Sequence, residues 1–289
     1  MKEVYTVVAQ LDADNYAVSC LCETLGVSRS AYYDWRKEEF SLRQQEDSHL
    51  KPIIQSIFWE HRRRYGARRI AVELATREQP CSRRRVGRLM KKMELVAIQP
   101  RTFKPRTTNS RHSLGYNDNL LLNAPQPIAV NQLWVGDITY VPIVGADFLY
   151  LAMLMDRYSR RIVGWSLQDH MQESLVLQAL QSAIALRQPV PGLMHHTDRG
   201  GQYASKKYRA LLSRGQMQQS MSRAGDCYDN AFMESCFGTM KTELEISGFD
   251  TCEHAHQEIR EYINYYNSIR RHSSLEYQSP TNFELSLLN

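Results

Sequence analysis

The stretch LWVGDITYVPI, residues 133–143, decides the fold of this 289-residue chain. Its β-branched and aromatic residues predict a strand. Two more strand patterns follow after short turns, FLYLAMLMD at 148–156 and RIVGWSL at 161–167, and predict an antiparallel meander. Helix and strand patterns then alternate: helix 174–187, strand 192–197, helix 205–214, strand 217–221, and long helices at about 230–246 and 252–269. The order predicts an α/β domain with a mixed five-stranded sheet flanked by helices.

Asp137 is the one acid inside the first strand pattern, between Val135 and Thr139. A carboxylate among apolar strand residues is costly unless it is paired or binds a cation. A hydrogen-bonded structural role and a metal-binding role both fit this position. If the first and fourth strands are neighbours, Asp137 and Asp198 face each other.

The stretch HHTDRGGQY, residues 195–203, spans the end of the fourth strand pattern. Neighbouring strand residues point to opposite faces, so His195 and His196 do not readily bind one metal ion together. His196 and Asp198 share a face, and Asp198 lies at the carboxyl end of the strand, where α/β sheets place ligand sites. We interpret Asp198 as a ligand and His196 as a neighbour that orients it or contacts substrate. The histidines fit ordinary strand residues better than zinc ligands.

A third acid lies in the helix pattern at 230–246. At about 100° per residue, Glu234 and Lys241 stack on one edge of its apolar arc, with Asp229 as a candidate N-cap. A plain amphipathic helix would show the same arc. Sixty residues separate Asp137 from Asp198, and thirty-five separate Asp198 from Glu234.

Three carboxylates without Cys or His partners suit hard cations such as Mg²⁺ or Mn²⁺. Two such ions, ~3.5–4 Å apart, can clamp the attacking and leaving oxygens of a phosphoryl displacement. Lys241 is placed to hold a phosphate. Asp156, in MDRYSRR, fits a turn former better than a fourth ligand.

Charge is unevenly distributed along the chain. Residues 51–112 contain seventeen Lys and Arg against four Asp and Glu, so this segment carries +13 and the remainder −8 of the overall +5. Such asymmetry favours a polyanion partner, and we predict nucleic acid. No apolar run is long enough for a bilayer span, and the first residues lack a signal core, so we expect neither membrane insertion nor secretion. The six cysteines show no CxxC pair and are interpreted as reduced thiols of a cytoplasmic protein.

The sequence before the sheet predicts two helical units. Residues 17–37 have helix-turn-helix spacing, and a plain hairpin with Tyr32, Tyr33 and Trp35 in its core fits equally well. The arginine-rich second unit is the better DNA-binding candidate. The predicted organisation is a helix-turn-helix-like segment at 1–45, a basic helical DNA-binding domain at 46–95, a linker at 96–130, a catalytic core at 131–250, and a C-terminal helix with a basic tail at 251–289.

Five stretches of the chain resemble one family. WVGDITY (134–140), HTDRGGQY (196–203) and DNAFMESCFGTMKTE (229–243) resemble the three acid-bearing motifs of DDE transposases, most closely the second-reading-frame product of the insertion-sequence-three family. YGARRIAVEL (65–74) and NYYNSIRRHSSLEYQSPTNFE (264–284) resemble its helix-turn-helix segment and its C-terminal block.

The resemblance implies an RNase H-like, retroviral-integrase-like core with Asp137, Asp198 and Glu234 as a catalytic triad that binds two Mg²⁺ or Mn²⁺ ions. It implies metal-dependent cleavage and strand transfer at the ends of an insertion sequence. The implied partners are the terminal inverted repeats and target DNA, further copies of the chain on DNA, and an upstream-frame product fused to it. From charge and resemblance together, the candidate DNA-contact residues are Lys241, Arg68, Arg69, Arg83, Arg84, Arg85, Arg88, Arg270 and Arg271.

Two other functions remain open. One is a DNA-binding regulator whose integrase-like core is inactive, which the helix-turn-helix patterns favour. The other is a nuclease of the same fold that hydrolyses DNA without joining strands. The intact set of three acids argues against the first, and only the reaction products distinguish the second from a transposase.

Overall fold

The computed structural model describes residues 2–36, 41–99, 115, 117–122, 124–145, 148–222 and 231–288. The first six helices are α1 (Lys2–Ala13), α2 (Val18–Thr24), α3 (Arg29–Arg36), α4 (Leu42–Glu60), α5 (Ala67–Thr76) and α6 (Arg83–Lys92). The strands are β1 (Leu133–Pro142), β2 (Phe148–Asp156), β3 (Ile162–Gln168), β4 (Met194–Thr197) and β5 (Gln218–Met221). The remaining helices are α7 (Glu173–Arg187), α8 (Lys206–Arg214), α9 (Ala231–Glu243), α10 (Cys252–Ser268) and α11 (Pro280–Ser286). None of the helices in these ranges is both long enough and apolar enough to span a membrane.

Helices α1–α3 form a small unit with its own core. Tyr5, Val8 and Tyr32 are among its buried residues. The aromatic residues of α3 divide: Tyr32 is fully buried, Trp35 is half-buried, and Tyr33 is 46% exposed. The hairpin interpretation therefore describes Tyr32 and Trp35, while Tyr33 remains at the surface.

Helices α4–α6 form the second helical unit. Ser41 and Gln44 make a reciprocal capping box at the start of α4, which satisfies backbone N–H groups that the first turn leaves unpaired. Ser82 caps α6 by accepting a hydrogen bond from the backbone N–H of Arg85. The apolar stripes of the three helices meet in one core of buried residues: Leu50, Ile54, Ile57, Phe58, Tyr65, Ile70, Leu74, Val86, Leu89 and Met90. The unit begins at Leu42, ahead of the predicted boundary at residue 46.

The predicted mixed five-stranded sheet is confirmed. Its strand order is β3-β2-β1-β4-β5; β1, β2 and β3 pair antiparallel, and β4 pairs in parallel with both β1 and β5. Both faces are covered. Leu133 and Val135 point into the core formed with α9 and α10, and Trp134 points into the core formed with α7 and α8. Burial on both faces explains why these strands are nearly continuous apolar runs.

Glycine is required where β3 meets α7. A Cβ at Gly164 would lie 2.3 Å from the carbonyl oxygen of Ala179 and 2.7 Å from the Cβ of Ala183. The helix therefore packs directly against the strand backbone, and any side chain at this position would push the two apart.

Helix α10 belongs to the core of the sheet. Ile259, Tyr262 and Tyr266 are buried in the same cluster as Val135 and Leu151. The core domain thus continues past residue 250, the predicted boundary. Further on, Glu284 of α11 binds the guanidinium groups of Arg161 and Arg187, with N–O distances of 2.6 and 2.7 Å, and ties the C-terminal helix to the turn before β3 and to α7.

The segment predicted as a linker is partly attached to the sheet. A short 3₁₀ helix occupies Leu120–Leu122, and the backbone N–H of Leu120 donates to the hydroxyl of Ser220 in β5 at 3.0 Å. Asn117 donates to the side chain of Gln219 at 2.8 Å. Residues 101–114 of the predicted linker lie outside the described residues.

Candidate active site

The pairing of β1 with β4 brings two aspartates together. The parallel register places Leu133 opposite Met194 and Val135 opposite His196. Continued by two residues, the same register sets Asp137 opposite Asp198. Because side chains alternate along a strand, both carboxylates lie on the face that α9 and α10 cover. The expectation that the first and fourth strands are neighbours is confirmed.

The carboxyl group of Asp137 lies in surroundings that disfavour its negatively charged form. Its Oδ1 accepts a hydrogen bond from the backbone N–H of Ile138 at 2.9 Å. Burial raises the pKa of Asp137 well above its usual range, and the negative charges of Asp198 and then Glu234 raise it further. The negative charges of Asp198 and Glu234 therefore both act on Asp137.

Gly200 fixes the carboxylate of Asp198. Its backbone N–H donates to Oδ1 of Asp198 at 2.9 Å, and a Cβ at Gly200 would lie 3.0 Å from the same oxygen. A side chain at position 200 would therefore crowd the carboxylate and shift it by a few tenths of an ångström. Glycine here serves the orientation of Asp198 as well as the access of a ligand.

Glu234 lies in the first turn of α9 and is exposed. Met233, Phe237 and Met240 are buried against the sheet and anchor the helix, as the apolar arc predicts. Lys241, two turns further on, is half-buried, and burial lowers its pKa. The predicted N-cap Asp229 lies outside the described residues.

The two histidines of β4 are buried structural residues. Nε2 of His195 is 2.7 Å from the hydroxyl of Tyr208, and burial lowers the pKa of His195 to about 3. Nδ1 of His196 is 2.8 Å from the hydroxyl of Ser220. Both side chains are fully buried, and they point to opposite faces of the sheet.

Asp156 is a turn former, as predicted. Its carboxylate is fully buried and accepts backbone hydrogen bonds from Asn131 at 2.6 Å and from Tyr158 and Ser159 at 3.0 Å. These bonds organise the turn between β2 and β3. Within the described ranges, no group of three His, Cys, Asp or Glu side chains lies close enough to hold a metal ion as it stands. The charges of Asp198 and Glu234 act on Asp137, but the three side chains do not form a complete metal coordination sphere.

The arginines predicted to contact DNA fall into two groups. Arg68, Arg83 and Arg84 are exposed on the helical unit. Arg85 and Arg88 are instead bound to Asp47 of α4, with N–O distances of 2.8 and 2.7 Å.

The C-terminal arginines are placed differently from the prediction. Arg270 is 6% exposed, and its guanidinium binds both carboxylate oxygens of Glu243. Arg271 forms an ion pair with Glu73 of α5, and Arg69 donates to the backbone carbonyl of Arg271 at 2.9 Å. The guanidinium groups of these arginines bind groups within the protein. The contacts of Arg69 and Arg271 connect α5 of the helical unit to the residues after α10.

The sequence interpretation missed the acids that bind these arginines. Asp47 continues the spacing of the buried residues Leu50 and Ile54 on α4, so a signal was present: an acid at a core position needs a cationic partner. The sequence signal for a buried acid is weaker at Glu243. This residue is the last of α9, the helix that carries Glu234, and a position at a helix end does not by itself mark an acid as buried. Its partner Arg270 lies 27 residues away in the sequence.

Comparison with known protein families defines the class. Residues 128–227 and 215–280 match models described as "Integrase core domain", and residues 44–103 match one described as "HTH-like domain". A solved core domain of HTLV-2 integrase in complex with magnesium is a weaker match, with 16% identity and a TM-score of 0.44, covering 54% of this chain and 98% of that one. The matches to the family models show that the chain carries an integrase-type polynucleotidyl transferase core behind a helix-turn-helix-like domain.

Whole-length relatives define the family. The chain is 43% identical over 91% of its length to a 31 kDa protein of insertion element IS600 from Shigella sonnei, covering 97% of that protein. It is 42% identical over 84% of its length to the transposase of IS904 from Lactococcus lactis, covering 96% of it. It is 36% identical over 93% of its length to transposase InsF of IS3A from Escherichia coli, covering 94% of it. The chain belongs to the IS3 family of insertion-sequence transposases.

Proposed function

We propose that Asp137, Asp198 and Glu234 are the catalytic triad of this transposase. The observation that supports the proposal is the register of β1 and β4, which, continued by two residues, sets Asp137 opposite Asp198. The negative charges of Asp198 and Glu234 both raise the pKa of Asp137, which supports a shared location for the three acids. Glu234 is exposed, so the set faces the side from which DNA can approach. A buried carboxylate whose pKa is raised by neighbouring acids is typical of catalytic sites, and α/β proteins place such sites at strand ends.

The three acids fit divalent cations. Their donor atoms are all carboxylate oxygens, which Mg²⁺ and Mn²⁺ prefer, and both neighbouring histidines are bound elsewhere. A cation would relieve the repulsion that raises the pKa of Asp137. We propose two ions, held by the three carboxylates. When bound, they supply Lewis-acid stabilisation of the attacking and leaving oxygens.

The chain's own residues orient the reactants. The N–H of Gly200 holds the carboxylate of Asp198, and the buried apolar side of α9 holds Glu234 at the mouth of the site. Lys241 is proposed to bind a DNA phosphate near the cut end, because it lies two turns along α9 from Glu234. In the proposed step, the 3′-hydroxyl oxygen of the element end attacks a target phosphorus and forms a new P–O bond. The bond from that phosphorus to the 3′-oxygen of the target strand breaks, and this oxygen leaves as a free 3′-hydroxyl, with no covalent enzyme intermediate.

The DNA-contact set is narrower than the sequence predicts. We propose Arg68, Arg83 and Arg84, with Lys241, as phosphate contacts, because these arginines are exposed. We assign Arg85, Arg88 and Arg271 to contacts within the protein. Arg69 and Arg270 pair with Glu243 and also line a cavity that is described below. The proposed substrates are the terminal inverted repeats and target DNA.

The proposal also covers the oligomeric state of the protein on DNA and its location in the cell. Joining two element ends requires two active sites, so we propose a homo-oligomer on DNA. Fusion to an upstream-frame product remains a proposal from the family resemblance. Because the substrate is chromosomal DNA, we propose that the protein acts in the bacterial cytoplasm at the nucleoid.

A joining assay tests this function. The full chain is incubated with a duplex that carries the inverted repeat and with a labelled target, in Mg²⁺ and in EDTA, and products are resolved by length. We expect joined strands only in Mg²⁺. Hydrolysed ends without joined strands would favour the nuclease. Binding without any cleavage, in both media, would favour the regulator, to which the helix-turn-helix-like domain also points.

A further inference from the structure

A second cavity lies on the far side of α9 from the triad. It has a volume of about 340 Å³ and is lined by α9, the turn between β2 and β3, the end of α10 with the residues after it, and α5. Phe232 and Cys236 of its wall lie roughly 160° around the helix from Glu234, at 100° per residue. The cavity is therefore separate from the candidate active site, although one helix borders both.

The cavity is cationic. Arg69, Arg160 and Arg270 line it, and no acid is among its described lining residues. The nearest carboxylate, Glu243, binds Arg270 at 2.7 Å and lies 3.8 Å from Arg69. Of the three lining guanidinium groups, Glu243 therefore pairs with two, those of Arg270 and Arg69. In the described part of the chain, no carboxylate lies within ion-pair distance of Arg160.

His272 lines the cavity together with the three arginines. Burial and then the positive charges of Arg270, Arg69 and Arg160 together lower the pKa of His272 to about 3. Nη1 of Arg270 lies 3.4 Å from Nδ1 of this imidazole, which lines the same cavity as the three arginines. Burial also lowers the pKa of Arg160 itself, as expected for a cation that lacks a carboxylate partner.

The position of Arg160 is fixed by the turn before β3. Its backbone has a φ of 62°, which side-chain-bearing residues rarely adopt, and its N–H donates to the carbonyl of Asp156 at 2.8 Å. The guanidinium carbons of Arg157 and Arg160 lie 3.2 and 4.2 Å from the ring centre of Phe232. A guanidinium held this way is preorganised for a ligand, since little rotamer freedom remains to be lost.

The rest of the wall supplies hydroxyl groups. Ser235 and Thr239 come from α9, and Ser273 and Ser274 come from the short 3₁₀ helix after α10. Guanidinium and hydroxyl donors without carboxylates suit a tetrahedral oxyanion. The two serines of the 3₁₀ helix are exposed, so the cavity opens to solvent on that side.

We propose that this cavity is a second phosphate site, which holds a DNA backbone phosphate away from the scissile strand. The choice of DNA as the source of the phosphate rests on the transposase function, whereas the affinity for phosphate rests on the cavity alone. A phosphate bound here touches α9 on the side opposite Glu234. DNA at this site therefore braces the helix that carries the third acid.

Two substitutions test the site. Arg160→Gln removes the cation that lacks a carboxylate partner, with the exposed Arg260→Gln as its control. Ser274→Glu adds a negative charge at the mouth without touching the core, with the exposed Ser247→Glu as its control. If Arg160→Gln lowers the melting temperature, Ser274→Glu decides the question, because its side chain starts from an exposed position.

The measurement is the affinity of the full chain for end-containing duplex DNA in EDTA, by fluorescence anisotropy at several salt concentrations. We expect both test variants to bind several-fold more weakly and Arg160→Gln to reduce the salt slope by about one, with both controls unchanged. The assay contains no divalent metal, so its result is independent of catalysis by the triad.

Inorganic phosphate, titrated in a thermal-shift assay, distinguishes a site for a DNA backbone phosphate from a site for a free phosphate anion. Stabilisation of the wild type by phosphate that both test variants lose, together with weaker DNA binding, supports the proposal. Lost phosphate stabilisation with unchanged DNA affinity would overturn the assignment to DNA and leave a free-anion site. Unchanged behaviour in both assays would overturn the site altogether.

Discussion

Glu243 and Arg270 form a buried two-point ion pair between the end of α9 and the residues after α10. Nη2 of Arg270 is 2.7 Å from Oε1 of Glu243, and Nε is 2.9 Å from Oε2. Tyr262 donates a further hydrogen bond to Oε2 at 3.0 Å, and Arg64 of the helical unit donates to the backbone carbonyl of Glu243 at 3.1 Å. The helix that carries Glu234 at its start is therefore fixed at its end by both the core and the helix-turn-helix-like unit.

Loss of one partner of this pair will destabilise the fold. Arg270→Met leaves Glu243 buried without its cation, which costs about 3–5 kcal/mol of unfolding free energy. The double variant Glu243→Met with Arg270→Met removes both charges and should recover part of that loss. Urea unfolding of the four proteins of this double-mutant cycle measures both effects. Equal stability of wild type and Arg270→Met would show that the pair contributes nothing.

Glu284 gives the protein an acid-sensitive contact. Burial alone would raise the pKa of Glu284, but hydrogen bonds from Arg187, Ser159 and Arg161 outweigh it, and the pKa is lowered. A depressed carboxylate pKa stabilises the fold above the unfolded-state pKa, about 4.3 for glutamate, and that contribution is lost as pH falls through the folded value.

Glu284→Gln should therefore lower the unfolding free energy by about 1.5–3 kcal/mol at neutral pH. The difference from wild type should shrink as the pH falls below about 4, near the reference pKa of glutamate. Denaturant midpoints across pH 3–8 measure this, with the exposed Glu276→Gln as control. A gap between wild type and variant that does not vary with pH would contradict the assignment.

Glycine at position 200 should matter for chemistry more than for DNA binding. A Cβ there meets Oδ1 of Asp198 at 3.0 Å, so Gly200→Ala displaces the carboxylate. We expect strand transfer to fall about 10–100-fold, as a small misplacement of a reacting group does, while DNA affinity is unchanged. Gly238→Ala is the matched control, because a Cβ at Gly238 has no neighbour within 4 Å. Equal activity of both variants would remove Gly200 from the site.

Arginines on α6 should divide by exposure. Arg83→Gln removes an exposed cation, so it should weaken DNA binding, reduce the salt slope by about one, and leave the melting temperature unchanged. Arg88→Gln breaks the ion pair with Asp47, so it should lower the melting temperature. Anisotropy titrations and thermal melts on both variants distinguish the two roles. The reverse pattern would mean that Arg88, and not Arg83, contacts DNA.

The sheet and the acids were predictable because their signals are local. Strand periodicity identified all five strands to within two residues at their ends, and the order of elements fixed the mixed sheet. Asp137 stood out as an acid among apolar strand residues, and Asp198 as an acid at the carboxyl end of a strand that was expected to lie beside the first.

The roles of the arginines were not predictable because their partners are distant. Arg271 binds Glu73, which lies 198 residues earlier in the chain. Clustered arginines at a surface and arginines that join two units look alike in sequence, since only the fold brings the acids to them. Arg64 also lies in the basic segment 51–112, yet its guanidinium carbon is 4.7 Å from the centre of the Tyr265 ring.

Glu234→Gln tests the central claim most directly. The variant keeps the shape of an exposed side chain on α9 while it removes the third negative charge, and Glu253→Gln on α10 is the matched exposed control. Joining of a pre-cut element end to target DNA in Mg²⁺ is measured alongside DNA affinity. We expect strand joining to disappear in Glu234→Gln and to persist in Glu253→Gln, and we expect both variants to bind DNA as the wild type does. Joining at the wild-type rate by Glu234→Gln would contradict the assignment of Glu234 to the catalytic triad.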